Sequence, residues 1–302
     1  MAINSTTAAP FIPEIWANEA LEVLRSNIVM APLVTKDTDL ATFQVGSTLH
    51  VPYPGTLVAH DKVEGSPVTK QTPTSTDTTV KLSHHKEVTI EVEDFVRAQA
   101  QPILMQSYIK AQVVALAEQI ESDIIATYSM FSGSLGTAGT DLSSATLRAI
   151  NKRFTDNKIA EGNRHLLIST KDESALQADT NLQQFFAYND ANRGDVSNPT
   201  INGRIYGLQL HVSQLVPEVT GTPNVTNNLA FDPGAIIFAS RSLPMAAPGM
   251  GVVQAVVQDP VSGLVLRSTM GYDKDGLGVQ VTLDCLYGVN KLRDEKGFVV
   301  LS

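Results

Sequence analysis

The run from Thr78 to Val92 alternates polar and apolar side chains more regularly than any other part of the chain. This period of two predicts a strand with one apolar face. The strand would span roughly 45–50 Å at about 3.3 Å per residue. A two-stranded ribbon of this length cannot bury its own apolar face, so a neighbouring subunit or the rest of an intramolecular sheet must cover it. Both alternatives remain open. The apolar residues fall on even positions: Val80, Leu82, Val88, Ile90 and Val92.

A long helix is predicted after this strand, within residues 94–130. From Pro102 to Met130 it would measure roughly 43 Å at about 1.5 Å per residue. Gln112, Gln119 and Ser122 are predicted to face away from its apolar stripe. The Gly- and Ser-rich segment 131–141 should end the helix, with Gly133–Gly139 as a linker. The stripe is formed by apolar residues three and four positions apart: Ile109, Val113, Leu116, Ile120, Ile124 and Tyr128.

The remaining segments mix helices and strands, which favours an α+β fold. Residues 11–39 read as an amphipathic arm, and Tyr188–Gly203 as a polar loop. Thr170–Glu173 has capping-box spacing and should open a helix. Another helix is predicted around Leu147, Ile150 and Phe154. Strands are predicted at 164–169, 205–212, 235–240, 252–258, 264–268, 279–285 and 298–301.

Composition and motifs give no indication of an active site. The net charge of −9 argues against binding nucleic acid through bulk electrostatics, which requires clustered Lys and Arg. Cys285 is the single cysteine, so no internal disulfide can form, and its strand-like surroundings predict a buried, inert thiol. No catalytic residue, cofactor-binding residue or metal ligand is predicted, and no apolar run is long enough to span a membrane.

At this point the chain resembles the major capsid proteins of tailed bacteriophages, which have the Hong Kong ninety-seven fold. The order of parts carries the resemblance: an arm, a long β-ribbon, a long helix, an α+β lobe, then β-structure to the end. Short segments agree with it in the same order: 11–16 (FIPEIW), 46–52 (GSTLHVP), 117–123 (AEQIESD), 203–208 (GRIYGL) and 230–236 (AFDPGAI).

The resemblance implies a subunit that self-assembles as hexamers and pentamers into an icosahedral virion capsid, built in the cytoplasm of a bacterial host. It implies enclosed double-stranded DNA bound without sequence specificity, a portal protein, a separate scaffolding protein because the arm begins at Phe11, a possible decoration protein, and no membrane. The implied parts are an N-terminal arm (1–45), an extended loop (46–92), a peripheral domain with a spine helix (93–140), an axial domain (141–248), and a peripheral β region with a C-terminal strand (249–302).

Inter-subunit contacts are expected from the arm and the extended loop. Some family members join a loop lysine to an asparagine of a neighbour, but the surroundings of Lys62, Lys70 and Asn290 do not match that pattern. An encapsulin-like compartment shell is the nearest alternative, distinguished by protein cargo in place of DNA. An unrecognised hydrolase and a tail-tube or adhesin protein are others. The contact candidates are Phe11, Ile12, Trp16, Asp61, Lys62, Glu64, Lys70, Lys81, His85 and Glu87.

Overall fold

A computed structural model describes residues 28–37, 48–55, 57–73, 75–94, 103–182, 204–247, 250–259 and 262–302. The helices are α1 (Ile103–Ile125), α2 (Ser144–Asp156) and α3 (Thr170–Ala178). The strands are β1 (Thr35–Asp37), β2 (Thr48–Pro54), β3 (Ser75–Lys81), β4 (His84–Glu93), β5 (Ser134–Gly136), β6 (His165–Ile168), β7 (Arg204–Ile205), β8 (Leu208–Val212), β9 (Glu218–Val219), β10 (Val225–Phe231), β11 (Ile236–Arg241), β12 (Val252–Gln258), β13 (Val265–Asp273), β14 (Gly278–Lys291) and β15 (Gly297–Leu301).

The first sheet is organised around its longest strand, β14. Strand β14 pairs with β4 over 278–287 and with β13 over 278–284, so these two strands occupy its opposite edges. Strand β11 pairs with 286–291 of β14, beyond the end of β13. Outside these, β12 pairs with β13 and the three-residue β1 pairs in parallel with β11. A single strand thus joins two groups of partners into one sheet.

Helix α1 packs its apolar stripe against this sheet. The predicted helix is confirmed over Ile103–Ile125, and a 3-10 turn, Ala126–Met130, follows it. Gln112 was predicted to face elsewhere, but it is buried, because its amide nitrogen donates to the carbonyl oxygens of Val88 (3.0 Å) and Val281 (3.1 Å). Full burial of one aliphatic side chain stabilises a fold by about 1.5–3 kcal/mol. The buried stripe consists of Ile109, Val113, Leu116, Ile120 and Ile124.

The second sheet has the order β5-β15-β10-β6-β8-β7 and is apolar on both faces. Leu167 belongs to the same core as α1, whereas its neighbours Leu166 and Ile168 lie in a second core with Phe154 of α2. Because successive residues of a strand point to opposite faces, the sheet separates the two cores. Phe154 packs against Phe298 of β15 with ring centroids 5.0 Å apart. The α+β prediction is confirmed.

The strand predicted over 78–92 is divided in two. Leu82 and Ser83 interrupt it, so that β3 pairs with β2 while β4 pairs with β14. The alternation itself is confirmed, because the even apolar residues are buried or half-buried and the odd residues from Lys81 to Glu93 are exposed. Strand β4 therefore joins an intramolecular sheet, the second of the two alternatives, and its Val88 packs against the core that contains α1. A period of two cannot reveal a break that keeps the alternation in phase.

Two further segments differ from prediction in their secondary structure. The region 205–212 is a hairpin rather than one strand, because Tyr206 (φ +49°) and Gly207 (φ +81°) form a left-handed turn between β7 and β8. The predicted linker 133–139 contains β5, which pairs in parallel with β15. Glycine content alone does not exclude a short strand that a neighbouring strand supports.

The capping box predicted at Thr170–Glu173 is displaced by one residue. Ser169 is the N-cap of α3, and its hydroxyl accepts from the Asp172 amide at 3.1 Å. Asp172 is fully buried, and its Oδ2 accepts from Ser169 (2.8 Å), Asn228 (2.7 Å) and Ser302 (2.9 Å). The carboxylate therefore joins α3 to β10 and to the end of β15 through three donors.

Two histidines face each other across β6 and β8. The Nδ1 of His165 lies 3.1 Å from the Nε2 of His211, and His165 stacks on Phe231. Burial, with a smaller effect of His211, lowers the pKa of His165 to about 4, and burial also lowers the pKa of His211. Asp232 opposes the shift of His165, and Arg204 adds to it. The fold therefore favours the neutral pair.

Acid is expected to destabilise the chain through this pair. A depressed folded pKa gives stability that is complete above pH 6.5 and is lost as the pH falls towards about 4. The melting temperature of the natural chain should fall more steeply over this range than that of a His165→Gln variant, measured by circular dichroism. Parallel pH profiles for the two chains would contradict this assignment.

Candidate assembly surface

The β2–β3 hairpin carries the surface to which the sequence assigned contacts. Its strands pair from Thr48 opposite Lys81 to Pro54 opposite Ser75, and residues 57–73 form an exposed tip beyond them. A bond from His50 Nδ1 to Asp77 Oδ2 (2.6 Å) joins the two strands. The tip turns at Gly65 (φ +80°), where the Ser66 amide donates to the Val63 carbonyl. Its Ser, Thr, Pro and Gly content explains why it forms no further strand.

The tip exposes apolar side chains that nothing in the described part of the chain covers. Leu57, Val58, Val63 and Val68 are each 64–65% exposed. Single exposed apolar residues are common, but several on one projecting segment are typical of an interaction site. Contact with a partner would remove these apolar side chains from water, and this burial would stabilise the contact.

The base of the hairpin is fixed to the first sheet. Leu49 and Val80 form a buried cluster with Ile237 and Ala239 of β11. The amide nitrogen of Asn290 donates to the Thr79 carbonyl at 2.6 Å. Nearby, the Arg293 guanidinium lies 4.8 Å from the centre of the Tyr53 ring, and Thr78 Oγ1 donates to the Leu292 carbonyl. The hairpin thus combines an anchored base with an uncovered tip.

A close backbone approach at Gly288 completes the anchor. A Cβ atom at this position in β14 would lie 2.1 Å from the Lys81 carbonyl oxygen and 2.8 Å from its carbon. Only glycine permits the end of β3 to pass this near to β14.

The predicted contact residues fall at different places on this surface. Asp61, Lys62, Glu64 and Lys70 all lie on the exposed tip, and Lys81 is exposed at the end of β3. Lys62 Nζ donates to the Val63 carbonyl at 2.7 Å. Of the cross-linking residues considered, Asn290 has its amide nitrogen bonded to Thr79, away from the tip.

The remaining candidates are separated from the tip. His85 and Glu87 are exposed on β4, and His85 Nε2 lies 3.1 Å from Asp284, which also pairs with Arg267. Phe11, Ile12 and Trp16, like most of the predicted arm and the predicted loop 188–203, lie outside the described residues. Their contacts with a neighbour stay predictions.

A buried glutamate that the sequence analysis missed anchors the stretch 28–34 to α1. Both carboxylate oxygens of Glu121 accept from the Met30 amide, at 3.1 and 3.0 Å. Met30 and Ala31 are fully buried beside it. Burial raises the pKa of Glu121 to about 7, although the backbone hydrogen bonds of Met30 and Val29 oppose the shift. The signal available in the sequence was a charged residue next to Ile120 on the apolar side of α1.

Raising the pH is expected to destabilise the folded chain at Glu121, because ionising this buried carboxyl costs more than ionising it in water. A raised folded pKa gives stability that is complete below about pH 4.5 and is lost as the pH approaches about 7. The melting temperature of the natural chain should therefore fall over this range relative to a Glu121→Gln variant, which cannot ionise. A constant difference between the two chains would show that Glu121 does not titrate there.

The described residues contain no cluster of side chains placed to bind a metal ion. No group of three or more His, Cys, Asp or Glu side chains among them is placed to bind an ion. Cys285 is buried as predicted, and burial raises the pKa of its thiol to about 12, so it is not a nucleophile near neutral pH. None of the described helices is long and apolar enough to cross a membrane.

The fold is that of phage capsid proteins, as comparison with solved structures shows. A structure of Mycobacterium phage Che8 matches with a TM-score of 0.66 and 16% identity, covering 90% of this chain and 90% of that chain. The capsid of cyanophage P-SCSP1u matches with a TM-score of 0.64 and 13% identity, covering 90% and 87%. A virus-like particle from Pyrococcus furiosus matches with a TM-score of 0.52 and 12% identity, covering 95% and 98%. No protein-family model and no curated protein matches the sequence.

Proposed function

We propose that the chain is the shell-forming subunit of the icosahedral capsid of a tailed phage. The observation that carries the proposal is a capsid fold over about nine-tenths of the chain, combined with an anchored hairpin whose apolar tip is uncovered. A shell subunit needs modest contacts that symmetry repeats many times. A projecting tip on a fixed base supplies such a contact. The role is structural, and no reaction is assigned to it.

Hexamers and pentamers require the same subunit to meet its neighbours at two different angles. In this proposal residues 46–92 include the extended loop that reaches a neighbour, residues 1–45 form the arm, and α1 is the spine helix of the peripheral domain, to which 249–302 also contribute. Residues 141–248 form the axial domain. The exposed tip can adjust to either setting because its apolar side chains are not committed to contacts in their own subunit.

The negative net charge of the chain fits a shell that encloses DNA better than it fits a DNA-binding protein. A net charge of −9 repels phosphates, so enclosed double-stranded DNA would not adhere to the subunit in bulk. A portal protein, a separate scaffolding protein and a decoration protein are the further partners that this role implies. The place of the assembled chain would be the virion capsid.

A cellular compartment shell is the second candidate. The match to the virus-like particle from Pyrococcus furiosus, which covers 98% of that chain, is the observation that points to a shell outside the phage capsids. Its TM-score of 0.52 is lower than the 0.66 and 0.64 of the phage structures. The two functions differ in cargo, which is DNA for a capsid and protein for a compartment.

Sedimentation and negative-stain microscopy test the proposal on the full chain. The chain would be produced in bacteria alone and together with the genes that neighbour its own. Closed shells, tubes or capsomers are expected, and nuclease-protected DNA in particles from an infection would identify the capsid. Particles filled with protein would favour the compartment, and a monomer under all conditions would overturn both functions.

A further inference from the structure

The edges of the described sheets are protected in different ways, with one exception. An edge strand exposes unpaired backbone N–H and C=O groups, and proteins protect such edges by short length, charge or proline. Strands β1 and β5 have three residues each, and β7 and β9 have two. In the hairpin, β2 contains Pro52 and Pro54, and β3 carries the charged residues Asp77 and Lys81. These edges offer little to a strand from outside.

Two longer edge strands bound the first sheet. Strand β4 carries Lys86, Glu87, Glu91 and Glu93, so a second strand placed beside it would meet charges. Strand β12, Val252–Gln258, has the sequence Val-Val-Gln-Ala-Val-Val-Gln, without charge or proline. It pairs only with β13 among the described strands. Val253 is 54% exposed, and Met250 beside the strand is 69% exposed.

We propose that β12 pairs antiparallel with β12 of a second copy of this chain. The inference rests on the proposed function, which supplies a neighbouring copy in the shell. Pairing about Ala255 uses all seven residues, because Ala255 then lies opposite Ala255, Val253 opposite Val257 and Gln254 opposite Val256. No like charges are brought together in this register, although the whole chain is acidic.

The symmetry of this pair suits a shell. Two identical antiparallel strands are related by a twofold axis, which gives a self-complementary interface. Residues directly opposite each other point to the same face of a sheet. Ala255 lies on the side of its sheet that faces α1, since its partner Ser268 is opposite the core residue Leu283. Both copies would therefore have α1 on the same side of one continuous sheet, as neighbours in a shell with an inside and an outside require.

The contact is too small to form a stable dimer in solution. Seven residues span about 23 Å, whereas a stable protein interface buries roughly 1,600 Å² in total. The pairing is therefore expected in assembled particles, where symmetry repeats it, and absent from the dilute subunit.

Cysteine cross-linking in assembled particles tests the pairing. In a Cys285→Ser background, Ala255→Cys would bring two cysteines opposite each other at a Cα separation of about 4.5–5.5 Å, which a disulfide can bridge. Because Ala255 is buried, a Gln254→Cys/Val256→Cys double variant tests the same register on the other face. Mild oxidation of the particles is expected to shift either variant from monomer to disulfide-linked dimer on a non-reducing gel.

The matched control is Val219→Cys, since Val219 is 51% exposed on β9 of the other sheet. It should stay monomeric under the same oxidation. Particles that form normally but give no dimer with either β12 variant would overturn the pairing and leave the shell function intact. A chain that forms no assembly in any condition would overturn the shell function and the pairing together.

Discussion

Replacing residues 55–74 with a two-residue Asn-Gly turn is expected to abolish closed shells while the subunit remains folded. Pro54 and Ser75 are directly opposite in the hairpin, so a two-residue turn can close the strand pair. The buried anchor at Leu49, Val80 and Asn290 is unchanged, but the exposed apolar tip is lost. Circular dichroism should give an unchanged melting transition, and sedimentation should give subunits or capsomers without shells.

A control variant with a tip of natural length distinguishes the effect of tip length from the effect of the apolar side chains. Substituting serine at Leu57, Val58, Val63 and Val68 keeps the tip length but removes the side chains that are 64–65% exposed. If burial against a neighbour drives assembly, this variant should also fail to close shells. Normal shells from the shortened hairpin would exclude the hairpin tip as an assembly contact.

Asp172→Ala is expected to lower the free energy of unfolding of the subunit by about 3–5 kcal/mol, because it removes the carboxylate that three buried donors share. These donors belong to Ser169, Asn228 and Ser302. Asp172→Asn should cost less, since the amide retains one acceptor oxygen of similar shape. Urea unfolding of the isolated subunit measures both changes.

Lys171→Ala provides the comparison on the same helix. Lys171 is exposed and pairs with Asp141 at 3.4 Å, and such surface pairs contribute about 0–1 kcal/mol. A loss for Asp172→Ala no larger than that for Lys171→Ala would mean that the buried carboxylate contributes no net stability.

Periodicity predicted the parts of this fold whose burial follows from spacing along the chain. The even apolar residues of 78–92 and the stripe from Ile109 to Ile124 needed only the period of a strand or a helix. The predicted burial of Cys285 in a strand was also confirmed. These features are local, so the sequence contains the information for them.

The predictions that were wrong concern residues whose burial or strand pairing depends on a partner distant in the sequence. Gln112 is buried because Val281, remote in sequence, supplies a carbonyl acceptor. Glu121 is buried because Met30 supplies an amide donor. The break at Leu82 and Ser83 exists because β3 and β4 have different partners, β2 and β14. Hydrogen-bond partners across sequence separations of this size leave no trace in local periodicity.

The candidate surface was predictable in part. Four of the predicted contact residues, Asp61, Lys62, Glu64 and Lys70, lie on the exposed tip within the extended loop expected over 46–92. Their ability to contact a neighbour depends on a second chain, which a single sequence does not contain.

The order in which the chain enters the first sheet has a mechanical consequence. Only Leu82 and Ser83 separate β3 from β4, and β4 is paired with β14 along 278–287. A pull on the hairpin tip by a neighbour would reach β4 through these two residues alone. The hydrogen bonds of that ladder would then share the load in shear instead of opening one after another. A force on the tip would thus be carried by Gly278–Lys291, the longest of the described strands, which forms no part of the tip itself.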